Sequence, residues 1–258
     1  MPPFLELSEH KRMLRLKLIA CKAMYRELSL LTADCGNFVD ATYLRQGFHD
    51  TPALLQKALQ AEIDGIDGGD DVHSYGPRFG RDFDAILLGY GLCSNGIAGL
   101  SSKKYTIVVP KTDDCIALLL GSYKKYRDYF DKYCGTYWYT PSWIENAYTP
   151  SEEMDKALLA EYTEKYGEDN ARYLLDNEFM LANYNRAAYI SWDELSFPQY
   201  EQYARRAAEY HGWDFDKVKG GAALLCDFVG GRWDERFLIV PPGKTIEPDY
   251  EGGVVKAV

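Results

Sequence analysis

Residues 84–116 read DAILLGYGLCSNGIAGLSSKKYTIVVPKTDDCI, and the reading of this stretch decides the fold. Two short apolar runs, Ala85–Leu88 and Thr106–Val109, have the length of buried strands, and each runs into a turn-forming segment. Each turn delivers a cysteine, Cys93 in GYGLCSNG and Cys115 in PKTDDC. Upstream, the apolar run Leu14–Ala20 (LRLKLIA) leads directly into Cys21. Ligands of open α/β sheets bind outside the carboxyl ends of the strands. Three thiols at three strand ends therefore predict a site, although they do not by themselves name a reaction.

Outward from this stretch, strands alternate with helices. A helix over Lys22–Ala33 is followed by a strand at Phe38–Leu44. Asp50-Thr51-Pro52 then opens an amphipathic helix over Ala53–Ile63. Cys115–Lys132 reads as one helix, Thr136–Thr140 and Arg186–Ser191 as strands, and Ser151–Tyr184 as two helices broken near Gly167. Trp192–Gly212 and Gly221–Val229 read as helices, Phe237–Val240 as a short apolar run, and the tail beyond Pro242 as loop. The alternation predicts an α/β fold with a mostly parallel sheet, helices on both faces and Rossmann-like halves. The division falls into an N-terminal half over 1–145, which carries the cysteines of interest, and a helix-rich C-terminal half over 146–258.

Cys21, Cys93 and Cys115 as thiolates suit Zn²⁺ with an open fourth position, or three irons of an iron–sulfur cluster with the fourth iron open. No compact CxxC pair is present, so the signal is strand-end placement and not spacing. A free buried cysteine is also a common small hydrophobe, which is the reading given to Cys226. Cys115 stands at a helix start, where the dipole and free N–H groups lower a thiol's pKa. His49, in GFHDTP, lies on the same predicted edge as a fourth ligand or general base. Metal-free chemistry is the second reading: Cys93 or Cys115 as nucleophile, His49 as base, Asp113 or Asp114 orienting it. Gly91 lets backbone approach a bound group, and Asn95 can donate to an anion or cofactor. Tyr137, Tyr139 and Trp143 are candidates to wall a substrate pocket, against the commoner role of core packing.

The series IACKAMYREL, GFHDTP, LLGYGLCSNG, VVPKTDDCIALLLGS, TYWYTPSWIE and FLIVPPG resembles the DUF1638 family, bacterial and archaeal proteins of unknown function. The resemblance covers nearly the whole chain, and its motifs coincide with Cys21, His49, Cys93 and Cys115. It implies a role beside anaerobic corrinoid-dependent methyl transfer, with a corrinoid protein or methyltransferase as partner. The DxHxxG signature of corrinoid carriers does not frame His49, so a standard carrier is not implied. A non-enzymatic accessory protein for such a system is a third reading, beside a metal site acting on a small molecule and the cysteine nucleophile.

The bulk properties narrow these classes. Lys and Arg number 29 against 39 Asp and Glu, a net charge of −10, without a basic cluster to bind nucleic acid or an anionic membrane. The opening MPPFLELSEHKR lacks the pattern of a signal peptide, and no apolar run has the length of a membrane span. A cytoplasmic setting, with the six cysteines reduced, is the expectation.

Overall fold

The computed structural model describes residues 12–71, 73, 82–176 and 183–258, without the side chains of His49 and Asp176. The chain forms a mixed α/β fold around a five-stranded sheet. Its strands are β1 (Arg15–Cys21), β2 (Phe38–Leu44), β3 (Ala85–Gly89), β4 (Ile107–Pro110) and β8 (Phe237–Val240), in the order β2-β1-β3-β4-β8. The first four are parallel and β8 closes the edge antiparallel to β4. Every residue of β3 and β4 is buried, which is why these strands are unbroken apolar runs rather than alternating ones.

The chain leaves β1 through α1 (Tyr25–Asp34) to pair on one side with β2. It then returns through α2 (Pro52–Gly68) to β3 on the other side of β1. Such a reversal opens a crevice at the carboxyl ends of the two inner strands. β1 ends on Cys21 and β3 four residues before Cys93, so the topology alone directs these two thiols into the crevice.

The remaining elements are β5 (Thr136–Tyr139), β6 (Arg186–Ser191) and β7 (Asp214–Lys219), a separate parallel sheet in that order. The sequence reading did not separate β5 from the first sheet and missed β7, whose DFDKVK pattern is largely polar. Between β4 and β5, the segment expected as one helix is two. α3 (Cys115–Leu120) ends at Gly121 in the left-handed conformation, and α4 (Tyr123–Lys132) restarts behind the Ser122 cap. α5 (Pro141–Asn146), α6 (Glu152–Tyr166) and α7 (Glu168–Asp176) precede β6, while α8 (Pro198–His211) and α9 (Ala223–Val229) flank β7. The tail forms an antiparallel pair, β9 (Ile246–Asp249) and β10 (Val254–Ala257), where loop was expected.

The division at 145/146 does not follow the sheets. β5 lies before it and joins the second sheet, while β8 lies after it and completes the first. Ala188, Ile190 and Trp192 around β6 enter the main core, and the Trp192 indole donates to the Leu119 carbonyl at 2.9 Å. The other face of the second sheet packs Tyr139, Ala187 and Tyr189 against alanines of α8. Among the described residues, no helix is long and apolar enough to cross a membrane.

A charge sits inside the first sheet. Lys17, in the middle of β1, is fully buried, with Nζ 2.8 Å from Asp71 and 3.2 Å from Asp40, its register partner on β2. Removing one member of a buried ion pair strands the others in a medium that solvates them poorly. Lys17→Ala is expected to lower the unfolding free energy by about 3–5 kcal/mol, measured by chemical denaturation. A loss well under about 1 kcal/mol, the range of exposed pairs, would show that Asp40 and Asp71 reach water.

Candidate functional site

The loops after β3 and β4 run side by side. The Leu92 N–H donates to the Thr112 carbonyl at 2.8 Å and the Cys93 N–H to the Asp113 carbonyl at 2.9 Å. Gly91 permits this approach, since a Cβ there would lie 2.6 Å from the Asp114 Cα. Gly91 was expected to bring backbone close to a bound group; its close neighbour is instead the other cysteine loop.

Cys93, Ser94 and Asn95 follow, with φ of 47°, 56° and 68°. Three successive non-glycine residues in the left-handed region form a single left-handed turn, closed by the Gly96 N–H on the Cys93 carbonyl at 2.9 Å. This conformation costs about 1–2 kcal/mol per residue, and such strain concentrates at functional sites. The turn faces a cavity of about 300 Å³ whose walls include Cys21, Cys93 and Cys115. The structure therefore brings together the three strand-end thiols. Cys21 and Cys93 are buried and Cys115 is half-buried. Among the described residues, no group of three or more His, Cys, Asp or Glu is arranged to hold a metal ion.

Two thiols, Cys115 and Cys21, have their pKa values raised by their surroundings. Cys115 is pushed well above its ordinary value, first by its hydrogen bond with Cys93, then by burial and by repulsion from Cys93 and Asp114. Burial, with Cys115 adding to it, pushes Cys21 up to about 12, against a 3.5 Å hydrogen bond from the Ala23 N–H. The lowered thiol expected for Cys115 at a helix start is thus overturned. α3 has six residues, and its free Ile116 N–H is taken at 2.8 Å by Asp114.

Asp114 was a candidate to orient a catalytic base. Both its oxygens are occupied, one as the α3 cap and the other by the Tyr126 hydroxyl at 2.6 Å, so it serves as a helix cap in the cavity wall. Asp113 accepts from the Tyr123 hydroxyl at 2.9 Å. The His49 side chain lies outside what is described, although its backbone sits in the turn Phe48–Asp50. Asn95 is exposed and is not among the lining residues. Of the aromatic set, only Trp143 lines the cavity. Tyr137 packs on Tyr184 and Trp213, and Tyr139 is buried with its hydroxyl on the Pro150 carbonyl at 2.8 Å. Both belong to the second core because β5 is in the second sheet. Trp143 arrives on α5, whose Ser142 hydroxyl donates to Glu27 at 2.8 Å and accepts from the Arg26 N–H at 2.9 Å. Burial pushes the Glu27 carboxyl up to about 7.

Six lining residues escaped the sequence reading, Arg45, Phe48 and Tyr90 among them. Arg45 directly follows β2 and Tyr90 directly follows β3. The strand-end rule that found the cysteines would have found both. Among the described residues the buried Tyr90 hydroxyl has no hydrogen-bond partner, and the Arg45 guanidinium lies 4.7 Å from the Phe48 ring centre.

The seam and the turn make separable predictions. Gly91→Ala is expected to force the cysteine loops apart and lower the melting temperature, whereas Ser94→Gly, which relieves a left-handed residue, leaves it unchanged or raises it. Thermal unfolding of the two variants measures both. An unchanged melting temperature in Gly91→Ala would mean that the loops separate at no cost.

The sequence comparisons bear on this site only through the family. No curated protein and no solved structure matches the chain. The family described as "Protein of unknown function (DUF1638)" matches residues 43–229, a span that includes Arg45, Tyr90, Cys93, Cys115 and Trp143. With most of its length inside that match, the chain belongs to the DUF1638 family.

Proposed function

We propose that the cavity at the carboxyl ends of β1, β3 and β4 is a three-thiolate site for an iron–sulfur cluster, at which a small molecule is bound and acted upon. The observation that carries this reading is the convergence of Cys21, Cys93 and Cys115, from three separate strand ends, on one cavity of about 300 Å³. A single zinc ion needs all its sulfurs about 2.3 Å away, and no such closed arrangement stands ready among the described residues. A cluster is larger, takes one thiolate at each of three irons and leaves the fourth iron to a substrate. Burial raises Cys21, and the Cys93 hydrogen bond and burial raise Cys115, with repulsion between neighbouring thiols adding to both; a bound cation opposes all of these by favouring the thiolate. In this reading Cys21, Cys93 and Cys115 hold the cluster, Trp143 and Phe48 wall the substrate, and the left-handed turn fixes Cys93 before anything binds. The cavity is too small to enclose a corrin ring with its side chains, so a corrinoid would be carried by a partner.

A metal-free nucleophile is the second reading, favoured by the contact between Cys93 and Cys115. Cys115, kept protonated, would donate its hydrogen to a Cys93 thiolate.

Anaerobic purification with iron and sulfide analysis separates the two. The parent protein is expected to hold iron and acid-labile sulfide. Alanine at Cys21, Cys93 or Cys115 should remove most of both, while Cys226→Ala should keep them and cost only stability. Full iron in Cys115→Ala would end the cluster reading. Zinc without sulfide would replace the cluster by a mononuclear site. Metal-free parent protein that loses a thiol to iodoacetamide at Cys93 would favour the nucleophile.

A further inference from the structure

The wall of the cavity carries two groups whose chemistry is unspent. The Tyr90 side chain is 3% exposed, and its buried hydroxyl has no hydrogen-bond partner among the described residues although it stands among the three thiols. Native proteins seldom leave a buried hydroxyl unpaired, and where they do a ligand or water completes it. The Arg45 guanidinium carbon lies 4.7 Å from the Phe48 ring centre on an exposed part of the cavity wall, and Arg45 has no carboxylate partner among the described residues. It is the only cationic side chain lining the cavity among those residues. A guanidinium is a planar fork of donors, the geometry that meets a carboxylate with two parallel hydrogen bonds, and the neighbouring Phe48 ring helps hold it in place. The acids on the same wall are already engaged, Asp113 by Tyr123 and Asp114 by Tyr126 and the α3 cap.

We infer that this cavity takes a small monocarboxylate, its anionic end on Arg45, its body between Phe48 and Trp143, and a second polar atom on the Tyr90 hydroxyl beside the thiols. The inference rests on reading the cavity as a small-molecule site, and it assigns Arg45 and Tyr90 as binding residues. One lining cation neutralises one negative charge. A phosphate ester would bring a second charge toward Asp113 and Asp114 with no further lining cation among the described residues to offset it. The volume of about 300 Å³ sits at the lower end of ligand pockets, which suits an acid of modest size.

The test titrates the protein as purified with acetate, butanoate, benzoate and 3-phenylpropanoate, with their primary amides, and with phenyl phosphate, followed by tryptophan fluorescence and thermal shift. At least one carboxylate is expected to bind about tenfold more tightly than its amide. Arg45→Gln should abolish that preference while leaving iron and sulfide content unchanged. Tyr90→Phe should weaken the same acid about fivefold, yet leave the melting temperature of the unliganded protein unchanged or higher, because it deletes a hydroxyl that has no partner. A merely structural tyrosine would lower it. Binding of no carboxylate at millimolar concentration, equal binding of acid and amide, tighter binding of phenyl phosphate, or a lower melting temperature in Tyr90→Phe would each overturn the inference. Protein that binds the acid but holds no metal fails the cluster reading alone. Protein that holds the cluster and binds no acid fails the present inference alone.

Discussion

Two backbone hydrogen bonds, from Leu92 and Cys93 to the carbonyls of Thr112 and Asp113, extend the contact between β3 and β4 past the ends of the strands, and the site depends on them. They fix Cys93 relative to Cys115 through main chain and not through a ligand. The register between β1 and β3 does the same for Cys21, since Ala20 stands opposite Gly89, where a Cβ would lie 2.7 Å from that of Ala20. Close backbone approach at Gly89 and Gly91 thus sets the spacing of all three thiols. A constellation held by rigid elements needs little rearrangement when it acts.

That dependence explains what could be read from the sequence. The strands that carry the thiols are buried on both faces, so they stand out as apolar runs, and the turn residues behind them are equally plain. Lys17 sits inside such a run and hid there, because its partners Asp40 and Asp71 are remote in the chain. β7 is a half-exposed edge strand whose charges face outward, and β9 carries a proline within four residues. Neither has the apolar signal of a central strand. Arg45 and Tyr90 stand at strand ends as plainly as the cysteines, but neither is a residue type that binds metals.

The errors at the site have a common physical origin. A sequence shows that Asp114 precedes a helix. It does not show that the Ile116 N–H and the Tyr126 hydroxyl will take both its oxygens. Alternation correctly placed Tyr137 and Tyr139 on one face of a strand, with ring centres 5.0 Å apart. Which sheet that strand joins is settled by long-range pairing with β6, and that pairing carried both rings away from the cavity and left Trp143 on its wall.

The unliganded site is energetically uncomfortable. A left-handed turn of three non-glycine residues costs about 3–6 kcal/mol at about 1–2 per residue, a buried hydroxyl with no partner among the described residues costs about 1–3 kcal/mol, and the crowded thiols add to both, in a fold whose whole margin is about 5–15 kcal/mol. They persist because the buried parallel sheet over-determines the positions of the groups that bear them. Two of the three can be relieved from outside the chain. An acceptor at Tyr90 completes its hydroxyl, and a soft cation converts thiol repulsion into attraction. Each relief lowers the free energy of the bound state alone and so adds to the folded state's stability by linkage. With Cys21 pushed up to about 12 and Cys115 also raised, a cation that enters must displace thiol protons, so its capture tightens as pH rises. The strain of the turn is not relieved by either route. It holds Cys93 in one orientation whether the site is empty or filled, which separates the cost of positioning the thiol from the gain of binding.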